Sequence, residues 1–161
     1  MVKIDILLKE GKISIISDLE LDRYINFFES SYKDNLEHSK FVLKIYPRWS
    51  IISGYYAMHD ITKLLIAKKL KIKIDLKVHK TTIEVLREFI KNKELNSLLV
   101  KGYKEFLSLA NDLAEAKEER TKAQYYTGTK FLHEEYLNKS VWFYENIVLV
   151  YIEKIKKLLE N

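Results

Sequence analysis

The chain contains no cysteine, one proline and four glycines in 161 residues. Without cysteine it can form no disulfide, no thiolate metal site and no thiol nucleophile. Because tight turns depend on glycine and proline, their scarcity argues against a fold of many short strands. No Gly-rich phosphate loop is present. The four scattered histidines offer no close pair of metal ligands, so we expect neither a metal nor another cofactor.

The balance of apolar and charged residues is that of one globular domain. Apolar residues make up 47% of the chain and charged residues 32%, which is too apolar for a disordered chain. The net charge of +5 suits a polyanionic partner, and equally a lysine-rich solvated surface. We expect no signal peptide, because charged, alternating residues follow Met1, and the most apolar run, 141–152, is too short to span a bilayer. We expect a cytoplasmic protein with no membrane partner.

Residues 1–16 are predicted to form an N-terminal extension. Apolar and polar residues alternate before and after a turn at residues 9–12, which is typical of a short β-hairpin. Residues 70–78 also alternate. They predict either a strand that pairs with this hairpin or an ordinary loop between helices.

Residues 17–161 are predicted to form one all-α domain, an antiparallel bundle of four or five helices. A capping-box pattern, Ser17 with Glu20, begins the first long helix. Pro47 ends that helix and can open the second. A second capping-box pattern at Thr81 begins a third helix that runs to about residue 91.

Two longer helices complete the predicted bundle. Apolar residues at four-three spacing over 95–116 predict the fourth, and Gly128 is the predicted break after it. The fifth runs to the C-terminus. Its apolar residues, which include Trp142 and Phe143, are too many for one face, so we expect a second contact surface and a homodimer.

Three polar residues of the second helix form the first candidate site. Tyr56 and Asp60 are four residues apart and share a helix face, and Lys63 lies one turn further on. A hydroxyl, a carboxylate and an ammonium group together could bind a phosphate or a ribose. The alternative is that Tyr55 and Met58 are core residues and that Asp60 and Lys63 form a surface ion pair.

Arg120 and Gln124 form the second candidate site, since they are also four residues apart. The planar guanidinium group of arginine is suited to phosphate. The glutamates upstream of Arg120 offer simple surface pairing as the alternative. A run of six lysines between residues 68 and 80 could follow an RNA backbone or form a solvated edge.

Two segments resemble the signature of the HEPN-like family, small helical proteins common in archaea and thermophilic bacteria. Residues 54–60, Gly-Tyr-Tyr-Ala-Met-His-Asp, are similar to that family's Ala-Tyr-Tyr-Ala-Met-Phe-His run. Residues 120–125, Arg-Thr-Lys-Ala-Gln-Tyr, are similar to its Arg-x-x-Ala-Asp-Tyr motif. Between them, His79 fills the place of a family Thr-His step. The resemblance extends from about residue 17 to the C-terminus.

The resemblance implies a homodimer with a groove at its interface, where the motif arginines of both protomers approach one another. Family members that cleave RNA do so without metal. Their arginine, followed four to six residues later by a histidine, promotes attack of the ribose 2′-hydroxyl on the adjacent phosphate. Many are toxins paired with a minimal nucleotidyltransferase antitoxin.

The sequence departs from that catalytic pattern after Arg120. Tyr125 and Tyr126 stand where the histidine is expected, and Gln124 replaces the acidic residue of the motif. Tyrosine, with a pKa of about 10 in model peptides, is a poor general base at neutral pH.

The resemblance therefore implies a nucleotide- or RNA-binding protein, at most a weak metal-independent ribonuclease. In that reading Arg120 clamps the phosphate and Tyr125 or Tyr126 positions the 2′-hydroxyl. Tyr56, Asp60, Lys63, His79 and Gln124 would contribute to binding. The alternative is a non-catalytic helical module that docks a protein partner.

Overall fold

The structure is a computed structural model that describes the backbone of residues 4–119 and 129–160, and the side chains of residues 4–109 and 133–160. The all-α fold class predicted from the sequence is confirmed. In chain order the elements are α1 (Ile4–Lys9), β1 (Ile13–Ile15), α2 (Asp18–Val42), α3 (Pro47–Leu70), β2 (Ile72–Ile74), α4 (Val78–Phe89), α5 (Lys93–Glu119), α6 (Thr129–Phe143), a π-helical turn (Tyr144–Val148) and α7 (Leu149–Glu160).

Helix α3 lies at the centre of the bundle. It contacts α2, α4, α5, α6, the π-helical turn and α7, and most of its side chains are buried. Pro47 occupies its first turn, where the missing N–H removes no hydrogen bond. The helix ends at Lys71, whose left-handed backbone (φ 52°) lets its N–H donate to Ala67 O. The prediction that Pro47 opens this helix is thus confirmed, whereas α2 ends earlier than predicted, at Val42.

The two strands form a small antiparallel sheet, with Ile13 opposite Ile74 and Ile15 opposite Ile72. Ile13, Ile72 and Ile74 pack with Leu7 in a core cluster that is separate from the main one. The alternative of a strand within residues 70–78 that pairs with the N-terminal segment is therefore confirmed, although the strand has only three residues.

The N-terminal segment contributes one strand and not two. The predicted first strand is instead the short helix α1. Leu7 is fully buried, and Ile4 and Leu8 are half-buried beside it. These three residues follow helical spacing, which a helix uses to cover one side of the sheet. Gly11, at φ 64°, turns the chain from α1 into β1.

Two capping-box patterns have different outcomes. Helix α2 begins after Ser17 as predicted, and Ser17 Oγ donates to Glu20 Oε2 at 3.0 Å. The predicted start of the third helix at Thr81 is wrong, since α4 begins at Val78. Thr81 lies in the first turn of α4, buried, and its hydroxyl donates to Leu76 O at 2.7 Å. The hydroxyl of Thr81 therefore joins α4 to the segment between β2 and α4.

The wide apolar stripe near the C-terminus is mostly covered within the chain. Phe143, Ile147 and Ile152 are buried, whereas Trp142 remains 53% exposed. The π-helical turn packs against α3 beside Gly54. The predicted break at Gly128 lies outside the described residues. Within the part of the chain that is described, no helix combines the length and apolarity needed to cross a bilayer.

Candidate functional site

Four of the predicted site residues lie close together at the middle of α3. Tyr56, Asp60 and Lys63 come from α3, and His79 comes from the first turn of α4. Tyr55 and His59 complete what we call the His–Tyr cluster, which consists of Tyr55, Tyr56, His59, Asp60, Lys63 and His79. The other predicted residues, Arg120, Gln124, Tyr125 and Tyr126, lie outside the described part of the chain.

His79 is half-buried and contacts several other residues of this cluster. Its Nδ1 lies 2.8 Å from the Tyr55 hydroxyl, and its ring centroid lies 4.8 Å from that of His59. The ring of Tyr103 on α5 stacks on it at 5.6 Å. Burial lowers the pKa of His79 to about 4, and the electrostatic effects of the neighbouring His59 and Lys63 act in the same direction. His79 is therefore neutral at pH 7.

Tyr55 supports His79 from the core side. It is fully buried, and its ring stacks on Phe106 at a centroid distance of 4.9 Å. Burial raises its pKa strongly, so the phenol keeps its proton. The hydroxyl can therefore donate to His79 Nδ1, and the neutral imidazole then carries its own hydrogen on Nε2.

Asp60 is a buried carboxylate whose hydrogen bonds come from α2. Its Oδ2 accepts from Ser31 Oγ at 2.7 Å and from Asn35 Nδ2 at 3.0 Å. Its Oδ1 lies 3.6 Å from His59 Nδ1. Only 7% of Asp60 is exposed. These bonds offset the cost of burying the charge and hold it against the His59 ring.

His59 bridges α3 to α4 and is 3% exposed. Its Nε2 lies 3.2 Å from Thr82 Oγ1, and the Thr82 hydroxyl donates to Val78 O at 2.7 Å. The Thr82 oxygen thus accepts from His59, which places a hydrogen on Nε2. The hydrogen bond to Thr82 therefore fixes one edge of the imidazole against α4.

Lys63 supplies the positive charge of the cluster. Its Nζ lies 4.4 Å from the ring centroid of Phe28. Burial lowers its pKa, and the nearby Asp60 carboxylate partly opposes that shift. Among the described residues, no carboxylate oxygen comes within 4.0 Å of this ammonium group. Its donors are therefore available to an anion that reaches the half-buried side of the cluster.

The basic run between residues 68 and 80 is partly neutralised. Three of its six lysines face carboxylates of α2: Lys68 with Glu29 at 3.7 Å, Lys71 with Asp18 at 2.8 Å and Lys73 with Glu20 at 3.9 Å. These exposed pairs fit a solvated edge better than a track for an RNA backbone.

Sequence reasoning missed several residues of this site. Ser31 and Asn35 bind the Asp60 carboxylate, and Tyr103 stacks on His79. The spacing of Ser31 and Asn35, four apart on α2, is a signal that they share a face. Nothing in the sequence indicates which helix that face contacts.

The cluster can form hydrogen bonds and hold charge, but its described residues form no metal site. No group of three metal-binding side chains occurs where the structure describes side chains. Comparison with known proteins adds no assignment, because no family model, no curated protein and no solved structure matches the chain.

Proposed function

We propose that the chain is a HEPN-like helical protein that binds RNA or a nucleotide beside the His–Tyr cluster. The observation that carries this proposal is the closeness of Tyr56, Asp60, Lys63 and His79 around the middle of α3, where α3 faces α2 on one side and α4 on the other. Helical spacing and side-chain chemistry predict Tyr56, Asp60 and Lys63 as binding residues, and the resemblance adds His79. In this proposal the protein acts as a homodimer and as the toxin-like partner of a minimal nucleotidyltransferase.

The charges of the cluster suit a phosphate ester. The ammonium group of Lys63 is partly desolvated, which strengthens its attraction for an anion. The neutral imidazole of His79 can exchange a hydrogen bond with a ribose hydroxyl. Asp60 is buried, and its Oδ2 accepts two hydrogen bonds from α2, so its role is to position rather than to contact the ligand.

The same geometry favours binding over rapid turnover. A general base works best when its pKa is close to the operating pH, about 7. The pKa of His79 is about 4, which makes it a weak base. Any metal-independent ribonuclease activity is therefore slow, with Arg120 as the phosphate clamp and Tyr125 or Tyr126 positioning the 2′-hydroxyl.

RNA binding and cleavage in EDTA test the proposal. Wild type, Arg120→Ala and Lys63→Met are compared on one structured and one unstructured RNA. We expect each variant to weaken binding by about tenfold or more, because each removes a charged donor to phosphate. Cleavage, if detectable, is lost in Arg120→Ala. Arg87→Ala and Lys104→Met remove the same charges from exposed positions on α4 and α5, and we expect them to bind within about twofold of wild type.

If RNA affinity falls by the same factor in the two variants and in their two controls, binding is non-specific charge attraction. That result would contradict the proposal. Circular dichroism and thermal unfolding establish that Lys63→Met is folded. An RNA affinity that is unaffected by both Arg120→Ala and Lys63→Met would contradict it as well.

A non-catalytic interaction module is the second candidate, and exposed aromatic residues favour it. Phe41 is 75% exposed and Trp142 is 53% exposed. Trp142 lines a surface hollow with Lys44, which lies one turn after Phe41. A protein of this kind would bind no RNA in the assay above. RNA affinity that falls steeply with salt and depends on Arg120 would exclude it.

A further inference from the structure

A second hollow lies at the start of α3, away from the His–Tyr cluster. The consecutive residues 45–49 line one side, and His133 and Tyr136 of α6 line the other. Its volume is about 330 Å³, within the range of small-molecule sites. Arg48 and His59 are eleven residues apart on α3, or about 16 Å along the helix axis. The two places share no residue.

The walls of this hollow are aromatic and reach the solvent. Tyr46 is 59% exposed and Trp49 is 60% exposed. Large aromatic rings are usually covered, because water around them is unfavourable. Two such rings at the rim of one hollow offer flat surfaces on which a heteroaromatic ring can stack.

Arg48 places a positive charge in the same hollow. Its guanidinium carbon lies 4.3 Å from the ring centroid of Tyr136. A guanidinium group over an aromatic face keeps its in-plane N–H donors, which match a phosphate. Where side chains are described, no carboxylate lies within 4.0 Å of Arg48, and neither Glu134 nor Glu135 lines the hollow.

We propose that this hollow binds a nucleotide. The base stacks on Trp49 or Tyr46, and the phosphate accepts hydrogen bonds from Arg48. The nucleotide is either free or an unpaired residue of an RNA strand, since both present the same base and phosphate. The proposal does not depend on Arg120 or on the His–Tyr cluster, so it can fail or succeed independently of the function proposed above.

The fluorescence of Trp49 tests this proposal in the full-length chain. Trp142→Phe removes the other tryptophan and leaves Trp49 as the reporter. We expect adenosine 5′-monophosphate to quench Trp49 saturably, because a stacked base contacts the indole directly. Adenosine, which lacks the phosphate, binds about tenfold more weakly, and inorganic phosphate alone does not quench.

Arg48→Ala, made in the same background, weakens binding of the nucleotide by about tenfold or more. Arg48→Lys keeps the charge but loses the planar fork, and gives an intermediate affinity. Arg87→Ala is the matched control, since Arg87 lines a different hollow beside Lys91 and Lys93. We expect it to bind within about twofold of the parent.

Equilibrium dialysis with radiolabelled nucleotide extends the test to Trp49→Ala, which has no reporter. Loss of binding in Trp49→Ala, with unchanged helix content by circular dichroism, supports the proposal. Quenching that does not saturate, or that responds equally to Arg48→Ala and Arg87→Ala, overturns it. Absence of binding together with a changed oligomeric state in Trp49→Ala also overturns it, because the rings would then belong to a protein interface.

An oligonucleotide distinguishes the two sources of the ligand. A four-residue adenosine RNA is compared with the mononucleotide on the parent and on Arg48→Ala. Affinity for the RNA that is about tenfold higher and still depends on Arg48 identifies an RNA strand as the ligand. Equal affinity identifies a free nucleotide. Binding of neither overturns the proposal.

Discussion

His79 is neutral at pH 7 because its surroundings disfavour a positive charge. Burial against Tyr55 and Tyr103 removes water, and the neighbouring His59 and Lys63 lower the pKa further, whereas Asp60 opposes the shift. In the unfolded chain the imidazole has an ordinary pKa of about 6.5. The folded state therefore binds this proton less tightly than the unfolded state does. Its stability is highest with His79 unprotonated.

This linkage predicts a stability loss in mild acid. The His79 contribution is fully present above pH 6.5, the ordinary pKa, and is lost as the pH falls towards the folded pKa of about 4. Because the side chain is only half-buried, solvent screening reduces the effect, and we expect a loss of roughly 1–2 kcal/mol. Urea unfolding between pH 7.5 and pH 4 measures it.

His79→Gln removes this part of the pH dependence, and His133→Gln is the control. His133 is exposed, so its replacement leaves the dependence as in wild type. If the free energy of unfolding falls equally in wild type and in His79→Gln between pH 6.5 and pH 4, other carboxyl and imidazole groups account for the acid sensitivity.

The sequence predicted part of this site, because some of its contacts lie within one helix. Tyr56, Asp60 and Lys63 share a face through helical periodicity alone. The contact of His79 with Tyr55 and the donation from Asn35 to Asp60 join residues on different helices. Such contacts depend on how the helices pack, which spacing does not encode. The interpretation of Tyr55 as a core residue is confirmed, and it also holds His79.

Helix α3 approaches the π-helical turn closely at Gly54. A Cβ atom at this position would lie 2.9 Å from Val148 Cγ2 and 3.1 Å from Ser39 Oγ. Val148 is fully buried and, being β-branched, has little freedom to rotate. The absence of a side chain at Gly54 thus allows the α3 backbone to approach the side chains of Val148 and Ser39.

Gly54→Ala therefore destabilises the protein. Overpacking costs about 1–3 kcal/mol, and the better helix propensity of alanine recovers up to about 1 kcal/mol. We expect a net loss of about 1–2 kcal/mol in chemical denaturation. Gly102→Ala is the matched control, because its Cβ would meet only the flexible end of Met58 at 3.0 Å. Its expected change is within about 1 kcal/mol of zero. A larger loss in Gly102→Ala than in Gly54→Ala would reverse this interpretation.

Element boundaries were predictable where one residue decides them locally. Pro47 and Ser17 each stand at a helix start that the structure retains. The short elements were not predictable in the same way. Residues 4–9 satisfy both an alternating and a helical pattern, and burial of Leu7 beside the sheet selects the helix. Thr81 carries a capping signal, but α4 begins three residues earlier, at Val78. Lys77, directly before it, has a left-handed backbone.

The molecule as a whole is organised around α3, and several large aromatic residues remain exposed on its surface. The main core cluster joins α2 through α7, and the smaller cluster fixes α1 and the sheet beside α3 and α4. Most of the C-terminal apolar stripe is buried within the chain. The width of this stripe is therefore no longer an argument for a second protomer. Phe41, near the end of α2, and Trp142, near the end of α6, are a pair of aromatic residues that stay exposed, at 75% and 53%.

A homodimer, if it forms as proposed, should use that pair. Sedimentation equilibrium is expected to give twice the chain mass of 19.2 kDa. Trp142→Glu and Phe41→Glu should each shift the population towards monomer by about tenfold or more in the dissociation constant, because a twofold interface places every substitution at two positions. Leu19→Glu makes a similar change at a residue that is 97% exposed near the start of α2, and we expect no shift. If the protein remains a dimer in both variants, its interface lies elsewhere on the surface. If the wild type is a monomer that still binds RNA through Arg120, binding does not require dimerisation.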